Sequence, residues 1–202
     1  VTEFDVADIT ELDRYRKKIN TENTPPKRTF LPFLIRAVTQ TLKEFPSFNS
    51  SLSINKEFLV HKKYYHIGVA IDTAWGLVVP VIKNTDKKNT TKLSIEMKDL
   101  SKRAREKKLK PEELKGGTFT ISSLGGIGGT YFSPIVNPPE VAILGVSRAT
   151  WKPTRLKDKK TFTARYLLPF SLTYDHRVID GAQAAAFTQY LAKIMSNTSF
   201  FE

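Results

Sequence analysis

The sequence predicts one mixed α/β domain, and three observations carry that reading. Segments of helical period alternate with short β-rich runs over 202 residues, no internal repeat recurs, and no Gly/Ser linker divides the chain. A chain of this length buries one substantial core. With 40% apolar and 26% charged residues, the composition is globular rather than disordered.

The elements follow in order. Asp8-Ile9-Thr10-Glu11 has the spacing of a capping box, with Asp8 at the cap and Glu11 three residues on, and predicts a first helix through about Asn20. Pro25 and Pro26 close the next loop. A second helix is expected over Thr29–Phe45, apolar at Phe30, Phe33, Leu34, Ala37, Val38, Leu42 and Phe45, and stopped by Pro46. The period then changes. Phe58–Val60, Ile67–Ile71 and Leu77–Ile82 read as strands, with Gly76 at the turn between the last two. Leu93–Lys108 returns to helix, and Pro111–Leu114 makes one short turn. Strands are expected at Thr118–Ser123, Val141–Val146, Phe162–Ala164 and Arg165–Tyr174, with the glycine-rich Leu124–Thr130 among them. Ala182–Met195 is the last helix.

Composition also excludes chemistry. The chain has no cysteine, so disulfides, a cysteine nucleophile and thiolate metal sites are absent from it. No apolar run approaches the ~20 residues that span a bilayer. Val1-Thr2-Glu3-Phe4-Asp5 lacks the basic start and apolar core of a signal peptide. Because the chain opens almost directly on a helix signal, it is expected to be a domain of something longer. The net charge of +12 comes from 32 Lys and Arg against 20 Asp and Glu, densest at Arg14–Lys18, Lys102–Lys110 and Arg155–Lys160. No basic block carries interleaved aromatics, so nucleic acid is not expected as a partner. Solvated helix faces and loops account for much of this charge.

Two segments carry chemistry. Asp175-His176-Arg177-Val178-Ile179-Asp180-Gly181 lies where an apolar strand meets the last helix. Histidine suits proton transfer near neutral pH, and a thiol with a pKa of ~8.5 is only slightly ionised there, so a base would assist it. The competing reading of His176 is a buried histidine that hydrogen-bonds its neighbours. Asp180 either orients the histidine, pairs with an arginine, or caps the last helix by accepting amide N–H bonds; by itself the cap is the stronger reading. The second segment is Thr118–Gly129. Thr120, Ser122 and Leu124 share one side of a strand and Ser123 takes the other. Its glycines lack the Gly-Lys-Ser/Thr element of a phosphate loop, are not followed by a helix as in dinucleotide sites, and include no Gly-x-Ser-x-Gly elbow. Ser122 could donate to a developing oxyanion, or be an ordinary strand-end serine.

Together these segments resemble the dihydrolipoamide acyltransferases, the core components of 2-oxo acid dehydrogenase complexes. The resemblance rests on Asp175–Ala182, Phe119–Gly125, Pro134–Val146, Phe48–Leu52 and Ile67–Thr73, in the same order, and runs from about residue 1 to 195. Phe48–Leu52 and the Ser122-Ser123 pair are most similar to the bacterial pyruvate dehydrogenase branch; the tail Ser196–Glu202 is not typical. The resemblance implies a chloramphenicol-acetyltransferase-like fold, an α/β (α+β two-layer) sandwich with a mixed β-sheet and flanking helices, in a single catalytic domain over residues 1–202. It implies acetyl transfer between dihydrolipoamide on a lipoyl domain and coenzyme A, in a channel between subunits of a homotrimer that builds a larger core, a 24-mer by resemblance.

In that scheme His176 is the base for the attacking thiol. Ser122, from the neighbouring subunit, stabilises the oxyanion, and Asp180 holds the geometry. Coenzyme A is a substrate, the lipoyl group is carried on a separate domain, and no metal is implied. The lipoyl-lysine context Asp-Lys-Ala is absent, Asp86-Lys87-Lys88 and Asp158-Lys159-Lys160 being the nearest strings. Lipoyl and peripheral-subunit-binding domains, with the decarboxylase and dihydrolipoamide dehydrogenase they recruit, are expected elsewhere in the protein. The positive charge is then expected to attract the anionic coenzyme and acidic lipoyl domains. The setting implied is bacterial cytoplasm, or the mitochondrial matrix for a eukaryotic relative, with no membrane partner. Alternatives on the same fold are a succinyl or branched-chain acyltransferase, acetylation of a hydroxyl compound such as an antibiotic, and a non-catalytic scaffold.

Overall fold

A computed structural model describes residues 1–21, 25–155 and 160–201. The Asp158-Lys159 pair and the interior of the basic cluster Arg155–Lys160 lie outside the described residues. The elements are β1 (Thr2–Asp8), α1 (Thr10–Thr21), α2 (Leu31–Glu44), β2 (Ser50–Leu52), β3 (Leu59–His61), β4 (Ile67–Thr73), β5 (Gly76–Val78), β6 (Val81–Ile82), α3 (Thr90–Arg105), β7 (Phe119–Ser123), β8 (Ala142–Val146), β9 (Thr150–Arg155), β10 (Phe162–Tyr174) and α4 (Gly181–Met195). The main sheet runs β1-β10-β8-β7-β4-β5, with β6 on β4 and β9 on β10, while β2 and β3 form a separate hairpin. β7 is parallel to β4 and β8, and the other pairings are antiparallel. This mixed sheet with flanking helices is the architecture expected.

The buried strands are those whose sequence is continuously apolar. All five residues of β8 are buried, as a strand lying beside a parallel neighbour and covered on both faces requires. Phe162–Ala164 and Arg165–Tyr174, read as separate runs, are one 13-residue strand. It changes partners midway. Phe162–Leu167 pairs with β9, Leu167–Thr173 with β1, and Phe170–Tyr174 with β8. Strands β1 and β9 have no counterpart in the sequence reading. Both are half-exposed or exposed edges with polar residues, and their identity as strands comes from β10's free backbone groups rather than from their own pattern.

The capping box is corrected. Asp8 Oδ1 accepts from the Thr10 backbone N–H at 3.1 Å and its hydroxyl at 2.6 Å, and Oδ2 from Arg165 Nε at 2.6 Å. Glu11 instead pairs with Arg14 at 2.8 Å. Asp8 ends β1, so its side chain braces the strand-to-helix corner and ties it to β10.

Helix α2 buries the expected stripe: Phe33, Ala37, Val38 and Leu42 have no exposure and Leu34 has 3%. Ile35, off that stripe, is also fully buried. The aromatic layer beneath the sheet is continuous. Phe187 of α4 lies 4.3 Å from Phe48 and 6.0 Å, stacked, from Phe119 of β7. The C-terminal residues are part of this core. Phe201 is 3% exposed and meets Phe33 edge-on at 5.4 Å, and Ser196 Oγ donates to the Asp8 carbonyl at 2.8 Å. Burial of one such phenyl group contributes about 2–3 kcal/mol.

Candidate active site

The turn after β10 is built from backbone outward. The Asp175 N–H donates to the Val141 carbonyl at 2.8 Å, fastening the end of β10 to the start of β8. Val178 and Ile179 N–H groups return to the Asp175 carbonyl at 3.0 and 3.1 Å, closing the turn, and Ile179 is 1% exposed and anchors it. The Arg177 guanidinium pairs with the Asp175 carboxylate at 2.6 Å, and the Arg177 N–H donates to the same carboxylate at 3.0 Å. That partner holds the Asp175 carboxyl below its usual range and raises Arg177.

His176 sits at the tip, exposed, and its ring nitrogens have no hydrogen bond among the described residues. The buried-histidine alternative therefore fails. The Tyr174 ring lies beside the imidazole, with centroids 5.8 Å apart and planes tilted by 37°. Burial raises the Tyr174 phenol, and the Glu3 and Asp180 charges add to that. Asp180 caps α4: its Oδ1 accepts from the Gln183 N–H at 2.8 Å, and its carbonyl from the Ala184 N–H at 3.0 Å. No described hydrogen bond joins Asp180 to His176.

Ser122 is elsewhere. It is half-buried on β7, level with Ala70 of β4 and Gly145 of β8, while Ser123 beside it is exposed. Tyr174 is level with Ala142 of β8. The three residue steps from Ala142 to Gly145 span roughly 10 Å, and His176 lies two residues beyond Tyr174. Within one chain the serine and the histidine are thus not brought together. The glycine-rich loop after β7 turns on Leu124, whose carbonyl accepts from Ile127 and Gly128, and Gly129 takes φ +87°. The segment that follows lies against β8: a Cβ on Gly145 would sit 2.9 Å from the Phe132 ring and 2.5 Å from Ser171 Oγ, and that hydroxyl donates to the Phe132 carbonyl at 2.6 Å.

A second group of polar residues lies between the β2–β3 hairpin and the starts of β7 and β8, and sequence reasoning passed over it. Glu140 is 7% exposed, and burial pushes its carboxyl up to about 7, against the opposing pull of Thr120 and the Lys62 charge. Thr120 Oγ1 is near enough to favour the ionised carboxyl, yet neither it nor Glu140 Oε2 has a hydrogen bond of normal geometry. Burial lowers the Lys62 ammonium, and the Glu140 charge resists that. Ser51, Lys62, Gly117 and Glu140 line a cavity of about 710 Å³. The local signal for Glu140 is a carboxylate set between two prolines and a fully buried strand, Pro138-Pro139-Glu140-Val141, inside one of the segments that carry the resemblance.

Among the described residues no three His, Cys, Asp or Glu side chains gather as a metal site, and no described helix is long and apolar enough to cross a membrane.

Residues 1–201 match the family described as 2-oxoacid dehydrogenases acyltransferase (catalytic domain), and the chain belongs to it. The dihydrolipoyllysine-residue acetyltransferase component of pyruvate dehydrogenase complex from Buchnera aphidicola subsp. Schizaphis graminum is 53% identical over 99% of this chain and 50% of its own length. The chain thus spans about half of that relative.

A structure of Azotobacter vinelandii dihydrolipoamide acetyltransferase, solved to study a serine, a histidine and an asparagine four positions after it, superposes at TM-score 0.94. The cubic core of the pyruvate dehydrogenase multienzyme complex gives the same score. Each of the two is 50% identical and covers 100% of this chain and 84% of the solved one. A chloramphenicol acetyltransferase shares the fold at TM-score 0.64 and 13% identity, covering 96% of this chain and 87% of its own.

Proposed function

We propose that this chain is the acetyl-transferring core of a pyruvate dehydrogenase complex, moving an acetyl group between a dihydrolipoamide thiol and coenzyme A. The observation that carries this reading is the exposed, unbonded His176 on a turn whose other polar groups are all engaged. A base held this way is free to meet a substrate. His176 Nε2 or Nδ1 takes the proton of the attacking thiol, and the thiolate adds to the thioester carbonyl. The Ser122 hydroxyl donates to the oxyanion as it forms. Collapse breaks the other C–S bond, and the departing thiolate recovers the proton from the imidazolium. No external acid, base or oxidant enters the balance.

Because Ser122 and His176 are separated within one chain, the two are supplied by adjacent copies, as in a trimer assembled into a larger core. His176 and Asp180 differ by four positions, as do the histidine and asparagine studied in the Azotobacter enzyme, and that shared spacing supports the reading. Asp180 acts through the α4 cap and the Tyr174 environment. A lipoyl group on a separate domain, recruited decarboxylase and dihydrolipoamide dehydrogenase, and a bacterial cytoplasmic setting complete the reading.

The test is an acyl-CoA panel of acetyl, succinyl and branched-chain thioesters, with dihydrolipoamide as acceptor and the mass of the assembly measured alongside. Transfer of acetyl in preference to the others is expected. A preference for succinyl or branched acyl groups reassigns the substrate, and no transfer by an assembled protein leaves a scaffold.

A further inference from the structure

Among the described residues, six buried side-chain polar atoms lack a hydrogen-bond partner, and four of them, Asn49 Oδ1, Ser51 Oγ, Thr120 Oγ1 and Glu140 Oε2, belong to the group beside the Glu140 cavity. Leaving a buried polar atom unmet is costly. Ser51 is 8% exposed and Thr120 1%. The group is also built around its vacancies in bonding. A Cβ on Gly117 would stand 2.7 Å from Glu140 Oε1, and one on Gly68 2.8 Å from Thr120 Oγ1, so both backbones give way to these oxygens. Asn49 Nδ2 donates to the Lys62 and Tyr64 carbonyls at 2.9 and 3.0 Å, and the Asn49 carbonyl accepts from the Lys62 N–H at 3.0 Å. Lys62 is thereby fixed on the cavity wall.

The chemistry of the wall selects its occupant. Glu140 already faces the Lys62 charge, so a second cation gains little. Besides Tyr64, Lys115 and Asn137, the remaining wall is apolar, with Leu77, Val79, Val81 and Pro139. A chain of methylenes interrupted by a neutral group that both donates and accepts fits such a wall, and an amide is that group. Resting on the acyltransfer reading above, we propose that Glu140, Ser51 and Lys62, with Thr120 behind Glu140, form a subsite for an amide of a thiol-bearing substrate arm. The carboxylate accepts the amide N–H, and a hydroxyl or the Lys62 ammonium donates to its carbonyl. Thr120 shares the Ser122 face of β7, two residues away, so an arm bound here lies along the strand that carries the proposed oxyanion donor. Two arms have this chemistry, that of coenzyme A and that of the lipoyl group.

The experiment is calorimetric titration of the assembled protein with coenzyme A and, separately, with lipoamide, for wild type and Glu140→Gln. Steady-state KM and kcat for each thiol are measured alongside. The variant is expected to weaken Kd and raise KM for at least one arm about tenfold, with kcat changed less than about threefold, as a lost bond to a charged acceptor requires. An effect confined to coenzyme A assigns its arm, and one confined to lipoamide assigns the lipoyl arm.

In wild type the affinity for that arm should fall as pH drops through about 7, where Glu140 takes up its proton, and the variant should lose this dependence. The other charged or titratable groups facing Glu140 are Lys62, Tyr64 and Lys115 on its own cavity and Lys56, Asp175 and Arg177 on the adjoining one of about 390 Å³. Ser51→Ala, a smaller change, should weaken the same arm. Unchanged Kd for both arms, or weakening accompanied by loss of assembled mass, overturns the subsite. Wild-type binding with the expected difference but without transfer upholds the subsite and instead defeats the acyltransfer reading.

Discussion

The His176 turn and the Glu140 group lie at the same end of the paired strands β10 and β8, joined by the Asp175–Val141 bond, and they are opposites. In the turn, Asp175, Arg177 and Asp180 all have partners, and the residue left unbonded, His176, is exposed. In the Glu140 group the unbonded atoms are buried. An exposed unbonded imidazole costs the fold nothing, since water serves it until a substrate arrives. A buried carboxyl oxygen left without a partner costs the fold stability. On the reading proposed above, the difference separates a group that serves chemistry from a group that serves binding.

Substitutions sharpen or break that contrast. The largest effect is expected from His176→Ala, a fall of about 10²–10⁴ in kcat with the melting temperature unchanged. Undiminished turnover removes His176 as the base, and a large drop in melting temperature would make it structural after all. Ser122→Ala should lower kcat by about 10²–10³; a near-wild-type rate leaves Ser122 as an ordinary strand residue.

Glu140→Gln should act in the opposite direction on stability. A carboxyl raised to about 7 in the fold contributes stability that is fully present below its unfolded pKa and lost as pH rises through about 7. The glutamine variant, which does not titrate, is therefore expected to melt above wild type at pH 8, on the order of 1–3 kcal/mol, with the gap closing toward pH 4. A variant that melts lower at pH 8 would show Glu140 to be a structural group. The smallest effect belongs to Asp180. Asp180→Ala should cost about 1 kcal/mol through the lost α4 cap, and Asp180→Asn, which caps as well, should restore both stability and rate. An asparagine variant that stays slow would mean that the charge of Asp180, and not its cap, serves the reaction.

Much of this was legible in the chain. The stripe of α2, the apolar run of β8 and the strand-to-helix position of His176 follow from period and local chemistry, because each depends on residues a few positions apart. The aspartate cap at Asp180 was legible for the same reason, whereas Asp8 was misread. Its corner is made by Thr10 and by Arg165, and the latter lies more than 150 residues away. Strands β1 and β9 escaped notice because an edge strand borrows its definition from its partner.

The sequence by itself determined the alternation of elements, the core stripe and a histidine on the last strand-to-helix turn, all local consequences of side-chain size, polarity and backbone preference. Tertiary structure decided that His176 and Ser122 are held apart within one chain, and that Ser51, Lys62 and Glu140 meet around one cavity with Asn49 and Thr120 behind them. Those outcomes depend on strand order and register, which bring together residues from four separate stretches of chain, and no local pattern encodes such a meeting.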